Sequence, residues 1–306
     1  MSTQITTSFI QGFKQGIDIL SQQRGSKLQN AVRNEMQNSK QDHYDQISAT
    51  AVVQRTSRHG DTPLVNTPHS RRNVTLNDYE WADLIDRQDR LRLLNDPGNA
   101  YSTNAAYAMG RKKDELILDA FTKTQTTGEL GGGGDAPDVS VVFGSVGASD
   151  DGPLTVESLI EARTYLLSED DTEEEMFCCL TAYQVGQLLD DSRISSSDYN
   201  TVKALVAGQI DTFVGFKFIQ VANSVNPVNH GSAGSATSNR PVFFWKKSGI
   251  VLSTGVGESG SSARITERAD KSYSTQIYYS ASFGSARMEE AKMCIGYVDD
   301  SAPASS

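Results

Sequence analysis

Few residues in this sequence have the type and spacing that chemistry requires. There are four histidines, His43, His59, His69 and His230, and three cysteines, Cys178, Cys179 and Cys294. A dense acidic run, Glu169, Asp170, Asp171, Glu173, Glu174 and Glu175, stands apart from both sets. Catalysis needs a nucleophile, a base and a group that orients the base, held together in space. All four histidines fall in stretches that read as arm, hairpin or loop, and none follows a strand that would fix its tautomer. Neither a G-x-S-x-G elbow nor an H-E-x-x-H pair occurs, and no dinucleotide-binding fingerprint is read. The acidic run offers oxygen ligands to calcium. It lacks the alternating spacing and central glycine of an EF-hand, so a solvated loop is the simpler reading. Gly131–Gly134 could cradle phosphate only if Gly-Lys-Ser/Thr opened a helix there, and Asp135 follows instead. The expectation is a protein that is not an enzyme, with no catalytic residues, no cofactor and no metal.

The three thiols are an odd number, and two are adjacent, a separation at which disulfide geometry is strained. They read as buried thiols in a reducing cytosol, and their spacing offers no zinc site. The formal charge of −10 repels phosphate and argues against sequence-reading contact with nucleic acid. Eleven Phe and eleven Tyr are enough to anchor real cores in 306 residues. The N-terminus lacks a basic start followed by an apolar run, and no stretch is apolar for the ~18–20 residues of a membrane span. A soluble protein made in a cytosol, with no membrane partner, is expected.

The elements that must position any site are read from periodicity. Residues 1–44 form a polar arm, with Ile10, Phe13, Ile17 and Leu20 on one helical face and Leu28, Val32 and Met36 continuing the stripe. Residues 45–76 read as a long β-hairpin turning at Arg58-His59-Gly60-Asp61. Asn77 to Leu94 reads as a helix, capped by Asn77 with Glu80 three residues on, and with Trp81, Leu84, Ile85, Leu91 and Leu94 on one side. Residues 99–125 read as a second helix, about 40 Å long. Its buried face holds Ala105, Met109, Leu116, Ile117, Ala120 and Phe121, and its wet face runs Arg111 to Glu115. Gly131–Gly134 then costs too much backbone entropy for regular structure. Beyond it come a helix over 153–168, with Leu154, Leu159, Ile160 and Ala162 as contacts, and a buried strand over 176–181. Helices over 182–190 and 198–207 and one strand over 211–222 complete a compact α/β unit. A polar loop at 223–239 leads to strand-rich residues 241–298, where Ile277, Tyr279, Ala281 and Phe283 alternate with polar residues. Residues 299–306 read as a disordered tail.

The hairpin is basic inside an acidic chain and too poor in large apolar residues to fold alone. Arg55, Arg58, Arg71 and Arg72 are therefore candidate contacts to another copy, and Glu174 and Glu175 are candidate acidic complements.

The order of parts then becomes recognisable: a weak arm, an extended hairpin, a long spine helix, a glycine-rich crossing, a compact α/β unit and a strand-rich return. With the segments DYNTVKALVAGQIDTFVGFKFIQVANS, RPVFFWKKSGIVLSTG and ITERADKSYSTQIYYSASFGSARMEEAKMCIGYV, it resembles the Hong Kong 97-like fold of tailed-phage major capsid proteins over residues 45–298. The resemblance implies an α+β fold with an N-arm at 1–44, an E-loop hairpin at 45–76, a P-domain with the spine helix at 77–150, an A-domain at 151–240 and a return into the A- and P-domains at 241–298. It implies self-assembly through hexamers and pentamers into an icosahedral shell around double-stranded DNA, bound without sequence specificity. A separate scaffolding protein and a portal protein would be partners, with room for a decoration protein; the place is the virion, assembled in the bacterial host cytoplasm. No lysine lies between Gln41 and Arg111, so the lysine–asparagine cross-link of some relatives is not expected.

Two other readings compete. An encapsulin-like nanocompartment shell would share the fold and hold enzyme cargo, so the contents of native particles separate it. A soluble α/β hydrolase would be a small oligomer with a pocket, and the unsupported arm and hairpin argue against it.

Overall fold

The computed structural model describes residues 22–58, 60–86, 98–127, 133–135, 139–144, 152–169, 173–190, 212–226, 229–230, 238–256 and 264–299. A 3-10 turn at Gln29–Ala31 leads into strands β1 (Arg33–Gln37), β2 (Gln41–Ile47), β3 (His69–Thr75) and β4 (Asn77–Ile85). Helix α1 (Gly98–Thr122) follows, then β5 (Gln125–Thr127), β6 (Gly133–Asp135) and β7 (Ser140–Phe143). Next come α2 (Val156–Glu169), β8 (Met176–Leu180), α3 (Ala182–Asp190), β9 (Thr212–Phe213), β10 (Phe216–Gln220) and β11 (Asn229–His230). The chain ends in β12 (Ser238–Lys246), β13 (Ile250–Gly255), β14 (Arg264–Arg268), β15 (Ser274–Arg287) and β16 (Met293–Asp299).

A seven-stranded sheet in the order β7-β16-β12-β8-β10-β9, with β11 beside β12, carries the main core. All five residues of β8 are buried, because both faces of the sheet are covered. On one face Phe177, Phe243, Trp245 and Ile295 pack under Ile117 and Phe121 of α1 and under Leu28, Ala31 and Val32. The Phe121 ring lies 4.7 Å from Phe243 and 5.9 Å from Trp245, centroid to centroid. The Trp245 indole N–H donates to the Ala31 carbonyl at 2.9 Å, so the aromatic is buried without losing its hydrogen bond. On the other face Cys178, Phe216, Phe244 and Cys294 meet Leu154, Leu159, Ala162 and Leu166 around α2.

A second sheet runs β1-β13-β15-β14, with β4 also paired to β15. Ile277, Tyr279, Ala281 and Phe283 are buried as their alternation predicts, and all but Ile277 join Ala105, Met109 and Leu116 of α1 in one core. The helix thus lies between two sheets, and the buried face expected over 99–125 divides between them, Ala105, Met109 and Leu116 on one and Ile117, Ala120 and Phe121 on the other. Gly284 lets the strands cross closely, because a Cβ there would sit 2.4 Å from the Thr75 carbonyl oxygen. A third sheet, β2-β3-β5-β6, joins the hairpin foot to the end of α1.

Several expectations are overturned. Asn77–Ile85 is a strand, not a helix, pairing antiparallel with β15 from Asn77↔Phe283 to Ile85↔Thr275. Its Tyr79, Trp81, Asp83 and Ile85 are half-buried and alternate with exposed neighbours, a period of two that outweighs the capping signal. Residues 28–37 are a 3-10 turn and a strand parallel to β13 rather than a helical stripe. Leu28 and Val32 are buried, but Met36 is 83% exposed. The expected single strand over 211–222 is a hairpin, β9 to β10, turning at Val214 (φ 52°) and Gly215 (φ 84°). Gly133 and Gly134 lie in β6, where pairing with Thr126 and Thr127 offsets their backbone entropy. Ile160 is 47% exposed, not a core contact, and Asp114, expected on the wet face, is fully buried. The hairpin pairs only from Gln41↔Thr75 to Ile47↔His69, and no strand occupies the described residues between. The expected helices over 10–20 and 198–207, the end of the 77–94 segment and the tail beyond Asp299 lie outside the described residues.

Candidate assembly interface

The arm is fastened first. Gly110 of α1 lets the chain pass at Gly25, whose Cα would lie 2.5 Å from a Cβ at 110. That approach brings Asp114 against the strap. Its carboxylate accepts from Gln23 Nε2 (2.5 Å), the Ser26 hydroxyl, Lys27 N (2.9 Å) and Leu28 N (3.1 Å). A buried carboxylate with four donors is satisfied, where an unpaired one would be costly. Gln23 also accepts from Ala222 N, and Lys27 Nζ donates to the Gln220 carbonyl, which extends the strap to the end of β10.

The hairpin foot is fastened next. Arg71 pairs with Asp45 across β2 and β3 at 2.5 Å, and the Arg71 guanidinium holds the Asp45 carboxyl below its usual range. Arg72 turns inward and donates to both oxygens of Glu290 at 2.9 Å. Glu290 also accepts from Arg287 at 2.8 Å, and Arg287, fully buried, donates to the Ala120 and Lys123 carbonyls at the C-terminus of α1. A cation there satisfies orphan carbonyls and matches the helix dipole. Gln46 donates to the Met288 carbonyl, and Gln125 donates to that of Asn73. Past this foot, Val52 and Leu64 are 97% and 96% exposed. Arg55 and Arg58 lie on the tip, with Arg55 donating to the Ser57 and Arg58 carbonyls.

Glu174 accepts from the Ser248 amide (3.0 Å) and hydroxyl (2.8 Å), with Lys292 at 3.5 Å. Partial burial opposes its ionisation, but Ser248 and Lys292 outweigh that and hold the carboxyl below its ordinary value. Glu175 pairs with Lys217 at 2.5 Å, and that hydrogen bond lowers its carboxyl too. With Val32, Arg33, Asn34, Lys247 and Ser248, the two glutamates line an open groove of about 710 Å3. The hairpin arginines and these glutamates therefore find different partners within the chain: Arg71 and Arg72 meet Asp45 and Glu290, and Glu174 and Glu175 meet Lys292 and Lys217. The buried Asp114 and Arg287 and the half-buried Glu290 escaped the sequence, because nothing local marks a charged residue as withdrawn from water.

No constellation of catalytic chemistry forms among the described residues. Cys178, Cys179 and Cys294 are free and buried, and burial pushes each thiol up, away from the reactive thiolate. No cluster of three metal-ligating side chains occurs among the described residues. The glycine spacing of a dinucleotide loop does occur, at Gly255, Gly257 and Gly260, but the next described element is strand β14, not the helix such a loop must open.

A sequence profile described as phage capsid protein matches residues 5–299. The chain belongs to the phage capsid protein family. No curated protein matches it. Solved structures give the same architecture. The capsid of Ralstonia phage GP4 is 12% identical with a TM-score of 0.69, covering 98% of this chain and 97% of that one. The capsid of cyanophage P-SCSP1u is 13% identical with a TM-score of 0.68, covering 99% and 96%. A chain from Mycobacterium phage Che8 is 14% identical with a TM-score of 0.67, covering 94% and 97%. This capsid protein therefore has the Hong Kong 97-like fold, a mixed α+β architecture. It is a structural protein of the virion and self-assembles into an oligomeric shell, and the encapsulin-like reading is not favoured.

Proposed function

We propose that this capsid protein forms hexamers and pentamers that close into an icosahedral shell around phage double-stranded DNA. The observation that carries this reading is the hairpin: a foot bonded into the body through Arg72, Glu290 and Arg287, and a tip whose apolar Val52 and Leu64 bury almost nothing in their own chain. Such a tip gains apolar burial only on another molecule. In this reading Arg55 and Arg58 meet a neighbour, and Arg71, Arg72, Glu174 and Glu175 contribute the charge around that contact. The central sheet around β8, β10 and β12 would serve as the A-domain at capsomer centres. Helix α1 with the β4–β15 sheet would be the P-domain, residues 1–44 the N-arm and 45–76 the E-loop.

The net charge of −10 suits a container that must not trap its genome, so DNA is packaged without sequence-specific contact. A separate scaffolding protein, a portal protein and a decoration protein would complete the particle, and assembly would take place in the bacterial host cytoplasm. The shell would be held by non-covalent contacts and would do no chemistry. Deleting residues 50–66 tests the carrying observation. Loss of closed shells with the subunit still folded supports it, and normal shells without the tip would refute it.

A further inference from the structure

We infer that capsid subunits join side to side by sheet extension, the β14 edge of one copy lying along the β4 edge of the next; this rests on the shell reading above. Strand β15 pairs antiparallel with β14 on one side and with β4 on the other. Among the described residues neither flanking strand has a second partner strand, so both leave an outer edge open, although the Leu84 amide of β4 donates to the Asp83 carboxylate at 2.8 Å. An open edge is a template for another strand, and stable monomers blunt theirs.

The two edges differ in charge. Cross-strand register places Arg264, Thr266 and Arg268 on the sheet face that also carries Asp78 and Glu80. Asp78 accepts from the Ser282 hydroxyl and Glu80 from the Tyr278 hydroxyl, and neither carboxylate has a cation partner among the described residues. All five residues of β14 are exposed, and Ile265 stays 60% exposed on the face turned toward α1, with no cover among the described residues.

Charge decides the pairing. A two-fold contact of β14 with β14 sets Arg264 against Arg268 twice, and one of β4 with β4 opposes carboxylates, both unfavourable across strands. On the face that carries Arg264 and Glu80, only β14 against β4 opposes unlike charge. Arg268 already pairs with Asp270 at 2.6 Å, so Arg264 carries the attraction, and the acidic Glu267 and Asp83 on the opposite face oppose it in part. Because both run antiparallel to β15, they run parallel to each other. A copy in the same orientation therefore extends the sheet as a parallel pair. Ile265 then comes beside the row holding Tyr79 and Trp81 of that copy. Such a contact is head-to-tail, the class that closes rings when the rotation allows.

Two sets of variants test this. Arg264→Glu and Glu80→Lys should each raise the protein concentration needed for assembly by about tenfold or more, since every ring contact is hit. Combining Arg264→Glu with Glu80→Lys in one chain should restore assembly, because unlike charges then face each other again at every contact of a five- or six-membered ring. In parallel, Thr266→Cys subunits assembled together with Ala82→Cys subunits should give cross-linked dimers with a short bis-maleimide, and each variant alone should give none. Should a charge variant fail to fold, the cysteine pair decides. A wild type that remains monomeric sinks the shell reading and this inference together. If the wild type assembles, folded Arg264→Glu protein that assembles equally well, or dimers from Thr266→Cys alone, overturns the edge pairing only.

Discussion

Asp114 gathers donors from Gln23, Ser26, Lys27 and Leu28, so one carboxylate fixes the course of the strap across α1. Asp114→Ala strands the buried Leu28 amide and the partly buried Lys27 amide and should cost on the order of 3 kcal/mol in urea unfolding, with faster proteolysis near Arg24 and Lys27. A loss under about 0.5 kcal/mol would mean that the strap is held by its apolar contacts instead. Glu174 gives a pH signature. Its folded-state carboxyl sits below the ordinary value of 4.5, so the charged form favours the folded state. That contribution is fully present above the unfolded value and fades as pH falls through the folded one. Glu174→Gln should therefore lower the melting temperature at pH 7, and the gap from the parent should close below about pH 4. The three buried thiols should resist a thiol reagent until the protein unfolds, since burial holds them protonated. Little at this scale was legible beforehand. The acidic residues look alike in sequence, and whether Asp114 is wet or buried depends on the strap some ninety residues away.

At the scale of elements, α1, α3 and β8 appear where their apolar spacing predicts, because each buries one continuous or 3.6-periodic face. Strand β4 misleads because Asn77 and Glu80 mimic a capping box, while the deciding partner, β15, lies two hundred residues downstream. The β9–β10 turn was hidden for the opposite reason: Val214 is a strand former held at φ 52°, where a branched side chain is strained. Val214→Asn should stabilise the protein by about 1 kcal/mol in thermal unfolding, since Asn tolerates this turn. No gain would mean that Val214 buries enough to offset its backbone. The hairpin divides into a bonded foot and an unpaired tip, so trypsin should cut free subunits at Arg55 and Arg58 well before Arg71 and Arg72. Equal rates would contradict the bonded foot.

At the scale of the molecule, the order of arm, hairpin, spine helix and returning strands was legible where individual elements were not. Topology survives a misread strand, because the central sheet is set by the apolar runs at 176–180, 241–246 and 293–298. The assembly surfaces were the least legible part. Arg72 reads as a candidate contact to another copy and within its own chain is bound to Glu290, and the exposed edges at β4 and β14 exist only once β15 separates them. The most direct measurement is light scattering on purified protein after size exclusion, with electron microscopy of the largest fraction. The account predicts rings or closed shells hundreds of ångströms across, built of Hong Kong 97-like subunits. A monomer under all salt and protein concentrations, even with crowding agents or a scaffolding partner, would contradict it.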